Sequence, residues 1–428
     1  MRRKFTLYCV ILCVVISFTA YAGGNAEKTA ENTPAKKVEI TFASQPTPSM
    51  DYLISMIPEF EKATGIKVKS DLMPYDNLVQ KVTIDCTTNT KQYSCFWMEP
   101  TWLGRFENEF EPLEKYISDP VLGKDFNLND FSKSFLDEVV RINGKMIGIP
   151  FEGCLMLLAY REDVYKKNNI KVPQTWTEYL EAAKKINNKD GVNAVTIMGK
   201  RGQPIFYEFL PYLYGFGGKF FDEKMKPTIN SPEAVQALEY LMELSKYAPA
   251  GFPSYGWEES ATAFMQGKVA SGLLFSDWIP SFKDPNSSKV AGNWNFARVP
   301  AGKAGAGSPA GTINLGINAD CDQAAKDAAF LFLKWATSKE IQTQLAKIGS
   351  SPTRLSVLDS AEFSTPEYRY FKGLKDTYDI TKTPMKIPEF FELNDALSIE
   401  LSAAVAGQKT AKQALDAAQD SWTKIMAT

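Results

Sequence analysis

The sequence predicts an α/β protein of about two domains, and three observations support this prediction. The chain has 428 residues, which is roughly two to three times the usual length of a single domain. With 44% hydrophobic and 23% charged residues, its composition is that of a globular protein that can bury a large core. The segment from residue 38 onward reads as strand, helix and strand, a pattern typical of helices layered on a sheet.

That opening unit is predicted from hydrophobic spacing. Residues 38–42 alternate as a strand does, and residues 50–63 repeat hydrophobic side chains with the spacing of a helix. Gly65 follows, and glycine suits the left-handed residue that ends many helices. Residues 66–68 then begin a second strand.

Four later helices are predicted from their N-terminal caps. Capping boxes begin at Thr175, Thr337 and Thr410, and Ser231 is followed by a proline suited to the first helical turn. Each helix that follows has one hydrophobic face. These helices are therefore expected to cover sheets rather than to span a membrane.

The N-terminus is predicted to be a secretory signal peptide, residues 1–22. Basic residues open it, residues 7–18 are uncharged, and an Ala-Tyr-Ala cleavage site ends it. An uncleaved anchor is the alternative. No cysteine follows directly for lipid attachment, so we expect export to the periplasm. Residues 23–37 contain no large hydrophobic residue and are predicted to be a disordered linker.

Charge and histidine content exclude several classes of function. The net charge is −2, from 48 basic and 50 acidic residues, which gives no basic region for nucleic acid. The sequence has no histidine and no Cys-x-x-Cys, which excludes serine–histidine catalysis and the common zinc sites. The segment 305–310 resembles a dinucleotide fingerprint, but residues 312–317 read as a strand and not as the helix that the fingerprint requires. We therefore expect no metal and no cofactor.

Four cysteines lie beyond the predicted signal peptide: Cys86, Cys95, Cys154 and Cys321. They allow three complete pairings. Because Cys86 and Cys95 are close in sequence, a disulfide between them is possible in an oxidising compartment. Two half-buried thiols are the alternative.

Aromatic residues, 12% of the chain, collect beside polar residues in several segments, at 96–102, 206–208, 255–257 and 276–278. Sugars stack their C–H faces on aromatic rings and use their hydroxyl groups for hydrogen bonds. The pattern favours binding of a polyhydroxyl ligand. Packing in the core or between domains is the alternative for any single ring.

The order of short motifs resembles the extracellular solute-binding proteins (family 1) of carbohydrate ABC importers, similar to maltose- and polyol-binding proteins. The resemblance covers nearly all of the chain after the linker. Each motif is weak, and their common order is specific. The motifs are FEKATGIKV at 60–68, GKMIGIP at 144–150, AYRED at 159–163, PQTW at 173–176, FMQGKVA at 264–270, LGIN at 315–318 and AGQKT at 406–410 followed by AL at 414–415. One departure is Tyr93-Ser94-Cys95, where the family often has an aspartate.

The resemblance implies a type II periplasmic binding protein fold, in which hinge strands join two α/β lobes around a ligand cleft. It places the first lobe at 38–150 plus 313–356, and the second at 151–312 plus 357–428. Cys154 and Cys321 would then lie in different lobes near the hinge, so we expect them to be unpaired.

The resemblance also implies a mechanism of binding without catalysis. The protein would capture a sugar or sugar alcohol by hinge closure and deliver it to membrane permease subunits, acting as a monomer without a cofactor. Alternatives are the same fold with another solute, such as a polyamine or phosphate ester, and a secreted carboxylate-pair glycosidase. Position in the family implies part of the ligand set and local chemistry suggests the rest: Gln45, Glu99, Trp102, Glu152, Arg201, Tyr207, Trp257, Asp277, Trp278, Asn314 and Arg354.

Overall fold

Residues 38–427 are described by a computed structural model of the chain. The predicted signal peptide, residues 1–22, and the predicted linker, residues 23–37, lie outside the described residues. Within the described part of the chain, no helix combines the length and hydrophobicity needed to cross a membrane.

Strands and helices alternate along much of the chain, as predicted. The strands are β1 (Glu39–Ser44), β2 (Lys67–Leu72), β3 (Cys95–Met98), β4 (Arg141–Ile142), β5 (Lys145–Met146), β6 (Ile149–Glu152), β7 (Met156–Arg161), β8 (Asn193–Thr196), β9 (Val269–Phe275), β10 (Trp294–Ala297), β11 (Ser308–Pro309), β12 (Ile313–Ile317) and β13 (Thr381–Lys382). The helices are α1 (Pro48–Thr64), α2 (Tyr75–Thr88), α3 (Glu114–Ser118), α4 (Lys133–Val139), α5 (Glu162–Lys167), α6 (Trp176–Ile186), α7 (Gln203–Phe216), α8 (Pro232–Ser245), α9 (Trp257–Met265), α10 (Ile279–Lys283), α11 (Gln323–Ala336), α12 (Lys339–Ile348), α13 (Leu355–Leu358), α14 (Phe371–Tyr378), α15 (Phe390–Val405) and α16 (Ala411–Ile425). Two short 3-10 helices, Pro100–Trp102 and Ser276–Trp278, follow β3 and β9.

Two sheets organise the fold. The first has five strands in the order β2-β1-β3-β12-β6. Strand β1 is parallel to β2 and β3, whereas β12 is antiparallel to both of its neighbours. The second has four strands in the order β10-β7-β9-β8, with only β8 and β9 parallel.

Two antiparallel segments connect the sheets. The chain leaves the first sheet after β6 and enters the second at β7, and it returns between β11 and β12. These segments pair with each other through a bridge between Leu155 and Ala310. The Gly311 N–H also donates to the Cys154 carbonyl at 3.0 Å. The chain therefore changes sheets near residues 150 and 313, where the resemblance implies a change of lobe, while the residue ranges of the two lobes remain a prediction.

The predicted helix boundaries are confirmed in most cases. Gly65 ends α1 with φ +75°, and its N–H donates to the Glu61 carbonyl. Thr175 and Thr410 form complete capping boxes at α6 and α16. Ser231 Oγ accepts from the Ala234 N–H at the start of α8.

The box predicted at Thr337 is wrong by one residue. Ser338 caps α12, and its side chain accepts from the Ile341 N–H. Thr337 is instead the C-terminal cap of α11, and its hydroxyl donates to the Leu333 carbonyl at 2.8 Å. Thr337 and Ser338 are neighbours and both residue types can cap a helix, so the sequence pattern allows α12 to begin at either of two positions.

A buried carboxylate, and no disulfide, organises the connection between α2 and β3. All four cysteines in the described part of the chain are buried free thiols, so the structure does not contain the possible Cys86–Cys95 disulfide. Asp85, 1% exposed, accepts hydrogen bonds from four groups in its place. Their donors are Thr90 Oγ1, Gln92 N at 2.7 Å, Tyr93 N at 3.2 Å and Asn318 Nδ2 at 3.1 Å.

Candidate functional site

A cavity of about 370 Å³ opens where the two sheets meet their connecting segments. Cys154 and Gly311, one from each segment, form part of its floor. This volume is in the range of small-molecule sites. The lining residues are Gln45, Thr47, Tyr75, Trp97, Glu99, Cys154, Gln203, Tyr207, Trp257, Glu258, Phe275, Asp277, Trp278, Gly311 and Ile313.

Strand ends of the first sheet supply one side of the cavity. Gln45 follows β1, and Glu99 follows β3, which is parallel to it. Tyr75 begins the helix after β2. Since the carboxyl ends of neighbouring parallel strands meet at one edge, these residues converge there. We call Tyr75, Trp97 and Glu99 the first wall.

The opposite side of the cavity comes from the second sheet and two helix starts. Strand β9 ends at Phe275, and the following 3-10 helix carries Asp277 and Trp278. Tyr207 lies in the first half of α7, and Trp257 begins α9. We call these five residues the second wall.

A chain of hydrogen bonds fixes the first wall. The buried Trp102 donates from Nε1 to the Tyr75 hydroxyl at 3.4 Å, and that hydroxyl donates to Glu99 Oε2 at 3.0 Å. Thr101 Oγ1 also donates to Glu99 Oε2, at 3.3 Å. Burial raises the pKa of Glu99 to about 7, against the opposing effect of these two hydroxyl donors. The carboxyl group is thus positioned before any ligand arrives.

Ring packing shapes the second wall. The ring centroids of Tyr207, Trp257 and Phe275 are 5.4 to 5.8 Å apart in three edge-to-face pairs. This is the favoured geometry for aromatic pairs. Asp277 is accessible to solvent in the cleft. Desolvation by the protein groups around it, and secondarily the charge of Glu152, raises the pKa of Asp277 to about 7.

The structure brings six of the eleven predicted ligand residues to the cavity. They are Gln45, Glu99, Tyr207, Trp257, Asp277 and Trp278. They come from segments far apart in sequence, so their convergence supports the set. Contact with a ligand remains a prediction for each of them.

Three of the other five do not line the cavity and contact other groups of the protein. Trp102 is fully buried behind Tyr75. Glu152, also buried, accepts from Ser49 Oγ at 2.8 Å. Asn314 is buried within β12, and its Nδ2 donates to the Val139 carbonyl at 3.1 Å.

The two predicted arginines lie elsewhere. Arg201 is exposed and pairs with Asp395 at 3.1 Å. Arg354 is buried, pairs with Asp130 at 3.3 Å and stacks its guanidinium 4.6 Å from the Phe131 ring centroid. Both cations are thus occupied by partners that the sequence pattern did not reveal.

Sequence reasoning missed several lining residues, including Thr47, Tyr75, Trp97, Gln203 and Glu258. Tyr75 and Thr47 carry a signal that could have found them, because each follows a parallel strand of the first sheet. Trp97 lies inside the short hydrophobic strand β3 and reads as core. In the part of the chain that the structure describes, no group of histidine, cysteine, aspartate or glutamate residues is arranged to hold a metal ion.

The two sheets, their paired connections and the cavity between them define a two-lobe binding protein with a cleft. A family model described as bacterial extracellular solute-binding protein matches residues 43–343. The chain belongs to this family, whose members serve ABC transporters.

Similar proteins span nearly the whole chain. A probable amino-acid ABC transporter periplasmic-binding protein of Sinorhizobium fredii is 26% identical, and the alignment covers 96% of this chain and 95% of that protein. The mannitol-binding protein of Pseudomonas aeruginosa is 27% identical, with 86% and 88% coverage. A solute-binding protein of Agrobacterium radiobacter K84, solved in complex with ribitol, aligns with a TM-score of 0.81 at 29% identity, covering 90% of this chain and 98% of that one. These matches establish the type II periplasmic binding protein fold.

Proposed function

We propose that this protein is the periplasmic substrate-binding subunit of an ABC importer for a sugar or sugar alcohol. The observation that carries the proposal is the cavity between two aromatic walls, each of which also presents a carboxyl group. Rings match the C–H faces of a sugar or polyol, and carboxyl oxygens match its hydroxyl groups. The names of the ribitol and mannitol relatives agree with this ligand class.

The proposed mechanism is capture by hinge closure without chemistry. The lobes, at 38–150 plus 313–356 and at 151–312 plus 357–428, rotate about the paired segments near Cys154 and Gly311. A ligand that touches both walls only in the closed state shifts the population toward closure. The closed form then docks on the permease subunits. We also propose cleavage after Ala22, a monomeric state and no role in nucleic-acid binding.

Thermal unfolding of the mature protein tests this proposal. The panel consists of monosaccharides, disaccharides, polyols, sugar phosphates and polyamines. A ligand at 100 times its Kd adds about 2.7 kcal/mol to stability, which raises the unfolding midpoint visibly. A rise with a sugar or polyol that is recovered unchanged supports the proposal. A rise only with polyamines or sugar phosphates, or conversion of a glycoside, contradicts it.

A further inference from the structure

The charges of the cavity are all of one sign. Three carboxyl groups line it, those of Glu99, Glu258 and Asp277, and none of the described lining residues is basic. Arg201 and Arg354, the two cations expected there, are held by other carboxylates. The hydroxyl groups of a neutral sugar can donate to these carboxyl oxygens, but they bring no charge to balance them.

The three carboxyl groups have no cation to balance them. Within the described residues, none of them takes part in an ion pair, and Glu99 Oε1 accepts no hydrogen bond. The charge that acts on Asp277, that of the Glu152 carboxyl group, has the same sign. The pKa of Glu259 in α9 is lowered mainly by the hydrogen bond from the Gly256 N–H and to a smaller extent by the charge of Lys200, which does not line the cavity.

Such groups favour a bound cation. The free-energy cost of a carboxylate that lacks a counterion in a cleft falls when the carboxylate takes up a proton or when a positive charge binds beside it. Burial raises the pKa of both Glu99 and Asp277, which favours the first of these two outcomes. The aromatic rings of both walls offer a second attraction, since their faces bind ammonium groups.

A separate observation indicates a hydroxyl group on the same ligand. Trp97 lines the cavity and is 1% exposed, and its buried Nε1–H has no hydrogen-bond partner. An indole nitrogen can only donate. A buried donor of this kind is costly unless it meets an acceptor oxygen. An ammonium group cannot serve as that acceptor.

We propose that the cavity selects a hydroxylated amine, that is, a sugar or sugar alcohol that carries a protonated amino group, over its neutral counterpart. This inference rests on the proposed function and narrows its ligand class. The ammonium group lies between Glu99 and Asp277, and a hydroxyl oxygen accepts from Trp97.

Matched pairs of ligands test the inference by calorimetry at pH 7. The pairs are 1-amino-1-deoxysorbitol against sorbitol and glucosamine against glucose, and spermidine serves as an amine without hydroxyl groups. We expect the amine of at least one pair to bind 10-fold or more tightly than its neutral partner, and more tightly than spermidine. Because a cation displaces protons from half-protonated carboxyl groups, its binding should release protons, measured as a dependence of the heat on the buffer.

Variants complete the test. Glu99→Gln and Asp277→Asn should each reduce the preference within the pair to threefold or less, whereas Glu239→Gln, which changes an exposed glutamate outside the cavity, should preserve it. Neutral ligands that bind as tightly as the amines would overturn this inference and leave the proposed function intact. Spermidine binding more tightly than both amines would overturn the requirement for hydroxyl groups. A failure of every sugar and polyol, amino or neutral, would overturn the proposed function itself.

Discussion

The two walls of the cavity differ in what holds them in place. The first wall is fixed by a hydrogen-bond chain from Trp102 through Tyr75 to Glu99. The second is held by edge-to-face contacts among Tyr207, Trp257 and Phe275. Directional bonds position single atoms, whereas ring packing shapes a surface. We infer that the first wall selects polar groups of the ligand and that the second supplies most of its contact area.

The largest expected effect concerns the base of the first wall. Asp85→Ala removes the acceptor of four hydrogen bonds that hold the connection into β3, the strand of Trp97. We expect the free energy of unfolding to fall by about 4 kcal/mol, because buried donors are left without partners. Urea unfolding measures this loss. Cys86→Ser is the control, and a loss of the same size in that variant would mean that the thiol, and not Asp85, organises the connection.

The next effect concerns the area supplied by the second wall. Trp257→Ala removes a ring that lines the cavity and contacts both Tyr207 and Phe275. We expect ligand affinity to fall about 100-fold, as it does when a central aromatic contact is truncated. Calorimetry with the ligand found by thermal unfolding measures this change.

Trp335 provides the matched control for Trp257. It is similarly half-buried, it packs on Phe60 and Phe332, and it does not line the cavity. Trp335→Ala should therefore lower stability and leave affinity unchanged. Equal losses of affinity in both variants would contradict the assignment of the second wall to the ligand.

A pair of smaller changes compares the walls directly. Tyr75→Phe breaks the bond to Glu99 and leaves Trp102 Nε1 without its acceptor, so affinity should fall about 10-fold. Tyr207→Phe removes a hydroxyl that has no hydrogen bond within the described residues, and it should cost about threefold or less. Titration calorimetry of both variants decides the point. The reverse order of effects would mean that the polar selection lies in the second wall.

Features of the fold that depend on neighbouring residues could be predicted from sequence. Local signals were sufficient for β1, α1 and the caps at Thr175 and Thr410, because hydrophobic spacing and capping depend on neighbouring residues. The motif order indicated the family and, through it, the positions of Glu99 and Trp278 after strands β3 and β9.

The placements that the sequence did not anticipate depend mostly on contacts between residues distant in sequence. Arg354 meets Asp130, 224 positions away, and a sequence pattern contains no trace of that partner. Trp102 ends a 3-10 turn, donates to the Tyr75 hydroxyl and is not among the residues that line the cavity, and its position after β3 in the sequence does not reveal this. The proximity of Cys86 and Cys95 suggested a disulfide, although Asp85 provides the link.

The smallest effect concerns a buried acid beneath the second wall. Glu208 follows Tyr207 in α7, is fully buried, and accepts from the Met198 N–H and the Tyr212 hydroxyl, both at 3.1 Å. Burial raises its pKa from 4.5 to about 7. The native state therefore keeps a proton that the unfolded state has lost between these pH values, and stability contributed by this group falls as pH rises through that window.

Glu208→Gln removes this titration and keeps the shape of the side chain. Glu99 and Asp277 shift in the same direction and are unchanged in the variant, so the difference between the two proteins isolates Glu208. Urea unfolding at pH 5 and pH 8 should show a smaller loss of stability in the variant than in the parent. Parallel pH profiles would mean that the pKa of Glu208 is not raised. Asp277, at the cavity surface, would then be the carboxyl group of the second wall with a raised pKa, as Glu99 is in the first wall.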